Sequence, residues 1–159
     1  MSTDPVRAAI EAEAKRVERE TGIWALAHRM ATSVWRWLYL ALGVPTTALA
    51  AVAGGSALAH HRVVAAVFAL AAAVSSALMT FLNPAVQVAD HRKAAGRYQA
   101  IENRARVLWQ ITCASNMTID DLQVVLNLLV EDWNEAIDAS PPLFVGFYRR
   151  AKQQIQAGE

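Results

Sequence analysis

The apolar positions of the chain follow three regimes. Over residues 5–36, Val6, Ile10, Val17, Trp24 and Ala31 recur among Glu, Lys and Arg at intervals close to whole helical turns, which predicts a polar amphipathic helix. Asp4 and Pro5 supply its N-cap and first turn, and Thr21-Gly22 is a predicted break or bend. Residues 38–59 and 63–82 are apolar runs without a single charge. Beyond Pro84 the pattern becomes helical again. Ala94, Tyr98, Ile101, Ala105, Leu108 and Thr112 alternate by four and three, predicting a helix to about Ser115, followed by a turn over 115–118. Ile119, Leu122, Leu126, Leu129, Trp133 and Ala136 repeat the spacing, with Thr118 and Asp121 placed like a capping box and Pro141-Pro142 as the stop. A last short helix sets Leu143, Phe144, Phe147 and Ile155 against Arg149, Arg150 and Lys152. Both a position on a membrane surface and docking onto the other helices fit that pattern.

The two apolar runs hold 22 and 20 residues, so as helices they reach roughly 33 and 30 Å, the thickness of a bilayer core. Only His60-His61-Arg62 separates them, which forces a tight antiparallel hairpin with both chain ends on one side. The competing reading, a hairpin buried in a soluble helical protein, leaves too little flanking chain to cover two such helices. Composition agrees with lipid as the solvent. The chain is 55% hydrophobic and 18% charged, and across residues 37–89 Arg62 is the only charged side chain. The predicted fold class is an all-α integral membrane protein. Residues 1–37 form an amphipathic and juxtamembrane segment, 38–82 the transmembrane hairpin, and 83–159 a cytoplasmic helical region.

Orientation follows from the basic residues. Lys15, Arg16, Arg19, Arg29 and Arg36 precede the first span and Arg92, Lys93, Arg97, Arg104 and Arg106 follow the second, so both termini are expected to be cytoplasmic. Trp35, Trp37 and Tyr39 match an interfacial aromatic belt, and Phe81 with Asn83-Pro84 marks the return. The first span follows a long charged helix rather than a short basic leader, so it is expected to stay in the mature chain. A net charge of +1 excludes a strongly basic nucleic-acid binder, and the single Cys113 excludes a disulfide scaffold.

Small residues dominate parts of both spans. Ala65, Ala69, Ala73 and Ala77 fall on one helical face, and Ala50/Gly54 and Gly55/Ala59 are small-xxx-small pairs. They either zip the hairpin to itself or pack several copies together. Pro45 predicts a bend, with Thr46 and Thr47 placed to satisfy freed carbonyls; Ser56, Ser75, Ser76 and Thr80 complete the intramembrane polar groups. These hydroxyls are candidates for a pore lining, against the ordinary reading that they bond back to their own helices. Tyr98, Ile101, Leu108, Leu122, Leu126, Leu129 and Trp133 are candidate seams of cytoplasmic assembly.

No catalytic set emerges. Neither span has an ionisable residue at depth, which proton relays and intramembrane hydrolases require, and no glycine-rich phosphate loop is present. His28, His60, His61 and His91 lack metal-ligand spacing, Cys113 has no activating neighbour in sequence, and the acidic run of Asp120, Asp121, Glu131, Asp132, Glu135 and Asp138 reads as a solvated or partner-facing side. No enzyme activity and no cofactor are expected.

The order of features resembles the SLATT family, two-helix membrane proteins of bacterial conflict systems. The resemblance is carried by the basic juxtamembrane helix with Trp24 and Arg29, the short-looped hairpin, and Phe81-Leu82-Asn83-Pro84 followed by His91-Arg92-Lys93-Ala94-Ala95-Gly96-Arg97-Tyr98. It implies an oligomeric effector in the bacterial inner membrane that forms pores or damages the membrane on a signal from a nucleotide-generating or nucleotide-sensing partner. It carries no catalytic residues to transfer. The expected partners are the lipid bilayer, further copies of the chain, and a separately encoded cytoplasmic signalling or sensor protein. A passive anchor or scaffold recruiting a soluble partner is the alternative.

Overall fold

A computed structural model of the chain describes residues 5–113 and 115–158; the predicted N-cap Asp4 lies outside them. The described residues form helices and connecting turns, with no strand among them. The helices are α1 (Pro5–Leu58), α2 (Arg62–Leu82), α3 (Pro84–Val107), α4 (Ile119–Asp138) and α5 (Val145–Gln156), and a π-helical turn, Leu108–Thr112, extends α3.

α1 runs unbroken through both Thr21-Gly22 and Pro45, so the break allowed for at Thr21-Gly22 does not occur. At Thr21 the hydroxyl donates back to the Val17 carbonyl at 2.7 Å, and the residue is fully buried. An isolated glycine costs a helix only about 1 kcal/mol, which the packing on both sides of Gly22 offsets. Pro45 also lies inside α1. Its ring removes the donor for the Ala41 carbonyl, but Thr46 and Thr47 donate instead to Leu42 at 2.6 Å and to Gly43 at 3.0 Å, bracing the carbonyls that follow.

The chain divides into two compact units, Met1–Ala31 with Asp90–Glu159, and Thr32–Ala89. In the first, buried side chains interlock as the three-four spacing predicts. Ile10, Ala14 and Val17 of α1 meet Tyr98, Ile101 and Ala105 of α3, Leu108 of the π turn, and Leu122, Leu129 and Ala136 of α4. The capping pair holds, since the Asp121 amide donates to Thr118 Oγ1 and the hydroxyl in turn donates to the Asp121 carboxylate. Helix α5 docks onto the other helices, one of the two arrangements its pattern fits. Its Ala151, Phe147 and Ile155, with Leu143, pack on Ile23 and Ala27 of α1, while Phe144 stays 82% exposed.

The π turn ends the α3 region with one residue too many per turn, the Cys113 amide reaching back to Leu108 at 2.8 Å. Carbonyls left beyond it are gathered by one side chain. The Arg7 guanidinium donates to the carbonyls of Cys113, Ser115 and Met117 at 2.7, 2.9 and 2.6 Å. Glu18 joins α1 to the same region by accepting from Arg106 Nε at 2.7 Å and from the Trp109 indole.

In the second unit the later part of α1 and all of α2 are long and apolar enough to cross a membrane. No residue of α2 is buried, and every buried residue of α1 lies at or before Ala31. His60 closes the hairpin with φ 61°, while the His60 and His61 amides reach the Ala57 and Ser56 carbonyls at 3.1 and 2.9 Å. That is a Schellman end to the helix with histidine in the place glycine usually takes. Asn83 ends α2 in the same left-handed conformation, φ 40°, with its amide on the Met79 carbonyl. This tight cap, rather than the extended residue usually found before proline, makes the exit toward Pro84.

Candidate functional site

Two places combine residues in ways the fold alone does not require: the outward faces of the hairpin, and a buried histidine pair in the packed unit.

Half-buried positions mark where the hairpin helices meet. On α1 they include Leu38, Leu42, Thr46, Leu49, Ala53 and Ser56, and on α2 Ala65, Phe68, Ala72, Ser75, Met79 and Leu82, each series stepping by three and four. Gly43 sits at this seam, where an added Cβ would stand 3.8 Å from the Met79 methyl. The predicted small-residue positions lie largely elsewhere. Ala50, Gly54, Gly55 and Ala59 are exposed, as are Ala69, Ala73 and Ala77, with Ala65 alone half-buried. A Cβ at Gly54 or Gly55 would meet nothing within 4 Å. Of the two readings, zipping within the chain therefore accounts for few of these residues.

The hydroxyls divide in the same way. Ser56, Ser75 and Thr46 lie on the seam, while Thr47, Ser76 and Thr80 are exposed beside Pro45 or the alanines. Thr80 donates to the Ser76 carbonyl at 3.1 Å, so with Thr46 and Thr47 it follows the ordinary back-bonding pattern. Ala69, Ala73, Ser76 and Thr80 then form one exposed stripe, small throughout and hydroxylated at one end.

The seven residues named for cytoplasmic assembly are occupied within one chain. Tyr98, Ile101, Leu108, Leu122 and Leu129 are at most 4% exposed, and Leu126 and Trp133 pack against the same cluster. Contacts between copies, where they form, must use other residues. The Trp133 indole N–H has no hydrogen-bond partner, but Arg16 lies over the ring, 5.3 Å from its centroid.

Sequence spacing did not reveal that His28 and His91 meet. Their Nδ1 atoms are 2.9 Å apart and both residues are buried, 63 positions apart in sequence. The distance is that of a hydrogen bond, so one ring donates from Nδ1 and the other accepts there. Aromatic rings enclose the pair: Tyr98 stacks on His28 at 5.5 Å and on Trp24 at 6.0 Å, and Trp24 touches Tyr148 at 5.0 Å. Burial pushes His28 down to about 4, helped by His91, and burial lowers His91 as well against the pull of Asp90. Burial thus disfavours a charge on either ring. Tyr98 is pushed up by burial, and its oxygen accepts from Ser140 at 3.3 Å. Among the described residues no three His, Cys, Asp or Glu side chains converge as metal ligands. A signal was present in the sequence, because His91 extends the α3 stripe one step back from Ala94, and His28 stands seven residues beyond the buried Thr21.

Cys113 is buried, and that burial pushes its thiol up, disfavouring the thiolate. No protein-family model, curated protein or solved structure matches the chain.

Proposed function

We propose that the chain is a two-span protein of the bacterial inner membrane, with both termini cytoplasmic, that assembles with further copies and permeabilises the bilayer on a signal from a cytoplasmic partner. The observation that carries this reading is the outward disposition of the small residues. In lipid, helices associate mainly by close packing, and small side chains matter because they let backbones approach. Gly54, Gly55, Ala69, Ala73 and Ala77 offer that approach on faces the hairpin leaves unused. Packing there brings Thr47, Ser76 and Thr80 toward neighbouring copies, and each hydroxyl retains acceptor capacity for water even when bonded to its own helix. A path lined in this way needs no ionisable residue at depth. The resemblance to bacterial conflict effectors points the same way.

The alternative is a non-permeating anchor, favoured by the fact that the packed unit completes its core within one chain and could recruit a partner unaided. Purified protein in liposomes separates the two. Dye leakage together with a discrete oligomer in mild detergent is expected, and Ala73→Leu should reduce both by blocking close approach. Protein that inserts in the stated orientation yet never leaks, with or without cytosolic extract, would assign the anchor role. Exchanging the spans for unrelated apolar helices should likewise abolish an effector's toxicity and spare an anchor's recruitment.

A further inference from the structure

The start of α5 leaves apolar side chains that the core does not use. Leu143, Phe147, Ala151 and Ile155 pack with Ile23 and Ala27, whereas Phe144 and Val145 are 82% and 62% exposed. Phe144 is also the N-cap of α5, a place where Ser, Thr, Asp or Asn would satisfy a first-turn amide, and its side chain makes no such bond. A large apolar residue here serves neither the helix end nor the core.

Contacts inside the packed unit fix where this corner lies. Ile155 borders a recess with Lys15, Arg19 and Gly22, while Tyr148 donates to Glu20 at 3.0 Å and touches Trp24, so α5 runs antiparallel to α1 and its start lies toward Ala31. The preceding link, residues 138–141, faces Asp90 and Lys93 across a second recess of about 290 Å³. Ala31 and Asp90 are the residues at which the chain leaves and re-enters this unit. The corner therefore stands at the end from which the chain runs to the apolar spans, about two helical turns of sequence from Leu38 and from Leu82.

Charge and size decide what meets it. Arg92 and Lys93 of α3 and Arg149 and Arg150 of α5 are exposed, against exposed Asp90 and Asp138, and none of the six is in an ion pair among the described residues. That excess of cations favours an anionic surface. A buried phenylalanine contributes about 150–250 Å², and a stable protein interface needs about 800 Å² from each partner. One projecting phenylalanine and one valine are thus too little for a lasting contact with a second copy, but enough to enter a headgroup layer.

We propose that the α4–α5 corner is a peripheral lipid contact, with Phe144 and Val145 entering the headgroup layer of an anionic cytoplasmic leaflet and Lys93, Arg149 and Arg150 meeting lipid phosphates. The inference rests on the two-span reading and adds to it a membrane contact made by the packed unit.

The test uses full-length protein carrying Cys113→Ala, so that a dye has one site, in liposomes of phosphatidylcholine with or without about one third phosphatidylglycerol. An environment-sensitive dye at Gly146→Cys, where an added Cβ meets nothing within 4 Å, should shift to the blue and brighten about twofold when phosphatidylglycerol is present. The same dye at Gln156→Cys, exposed at the far end of α5, should stay water-like in both lipids. Phe144→Gln with Val145→Gln should return the Gly146→Cys signal to the water-like level with unchanged circular dichroism, and Arg149→Gln with Arg150→Gln should remove most of the response to phosphatidylglycerol. A water-like dye at Gly146→Cys in protein that resists alkaline carbonate extraction overturns the lipid contact and leaves the spans standing, whereas protein that carbonate strips away overturns both. Brightening that ignores the Phe144 and Val145 replacements, or that grows with the number of copies per liposome at fixed lipid composition, also overturns it, the latter by assigning the corner to a second copy.

Discussion

His28 and His91 face each other through their Nδ1 atoms, one donating to the other, and the pH response follows from where further protons can go. An unfolded histidine titrates near 6.5, whereas folded His28 is held down to about 4 by burial. Between those values the unfolded chain binds a proton that the fold refuses. Stability is therefore complete above about pH 6.5, declines by about 1.4 kcal/mol per pH unit below it, and stops declining on this account below about 4. His91, lowered for the same reason, adds to the slope. Glu13, held low chiefly by its hydrogen bond from Arg16, contributes acid sensitivity at the ordinary carboxylate range, so the histidine effect is read by difference. His28→Gln should flatten denaturant midpoints between pH 6.5 and 4 relative to the parent chain. A second residue-scale expectation concerns His60. A side chain at φ 61° costs about 1 kcal/mol that glycine avoids, so His60→Gly should raise stability in detergent by roughly that amount.

Among the elements, α4 shows how burial divides one apolar pattern into two roles. Leu122 and Leu128 have the same side chain on the same helix, but the first is fully buried and the second 57% exposed. Leu122→Ala should cost about 2–5 kcal/mol, and Leu128→Ala should stay within about 0.5 kcal/mol, as measured by chemical denaturation. The buried stripe was legible because three-four spacing marks a core face whatever the partner. Val124, Val125 and Leu128 were not singled out, since a second apolar face has no register with the first. Helix ends were legible where chemistry is local, as at Thr118 and Asp121. The continuity of α1 through Gly22 was not, because packing by residues distant in sequence overrides a local breaker. The candidate hairpin faces were readable as composition, while their direction depended on which sides of α1 and α2 meet.

At the scale of the whole molecule, two units of opposite character share one chain. All residues of the main buried clusters come from Met1–Ala31 and Asp90–Glu159, and none from Thr32–Ala89. Replacing residues 32–89 by a flexible hydrophilic linker should thus leave a helical protein that is water-soluble without detergent and melts cooperatively. Aggregation, or noncooperative melting by circular dichroism, would mean that the hairpin contributes to the core after all. The same division explains why overall composition marked out two helices long and apolar enough to cross a membrane while giving no hint of the histidine pair.

Arg7 reaches carbonyls 106, 108 and 110 residues further along the chain. At synthesis rates of about 5–20 residues per second, its partners leave the ribosome roughly 5–20 s after it does. During that interval the stripe from Ile10 to His28 has no α3 or α4 to cover it, and the apolar hairpin has already been made. The first helix is therefore born as an amphipathic segment whose apolar stripe stays uncovered until α3 and α4 follow.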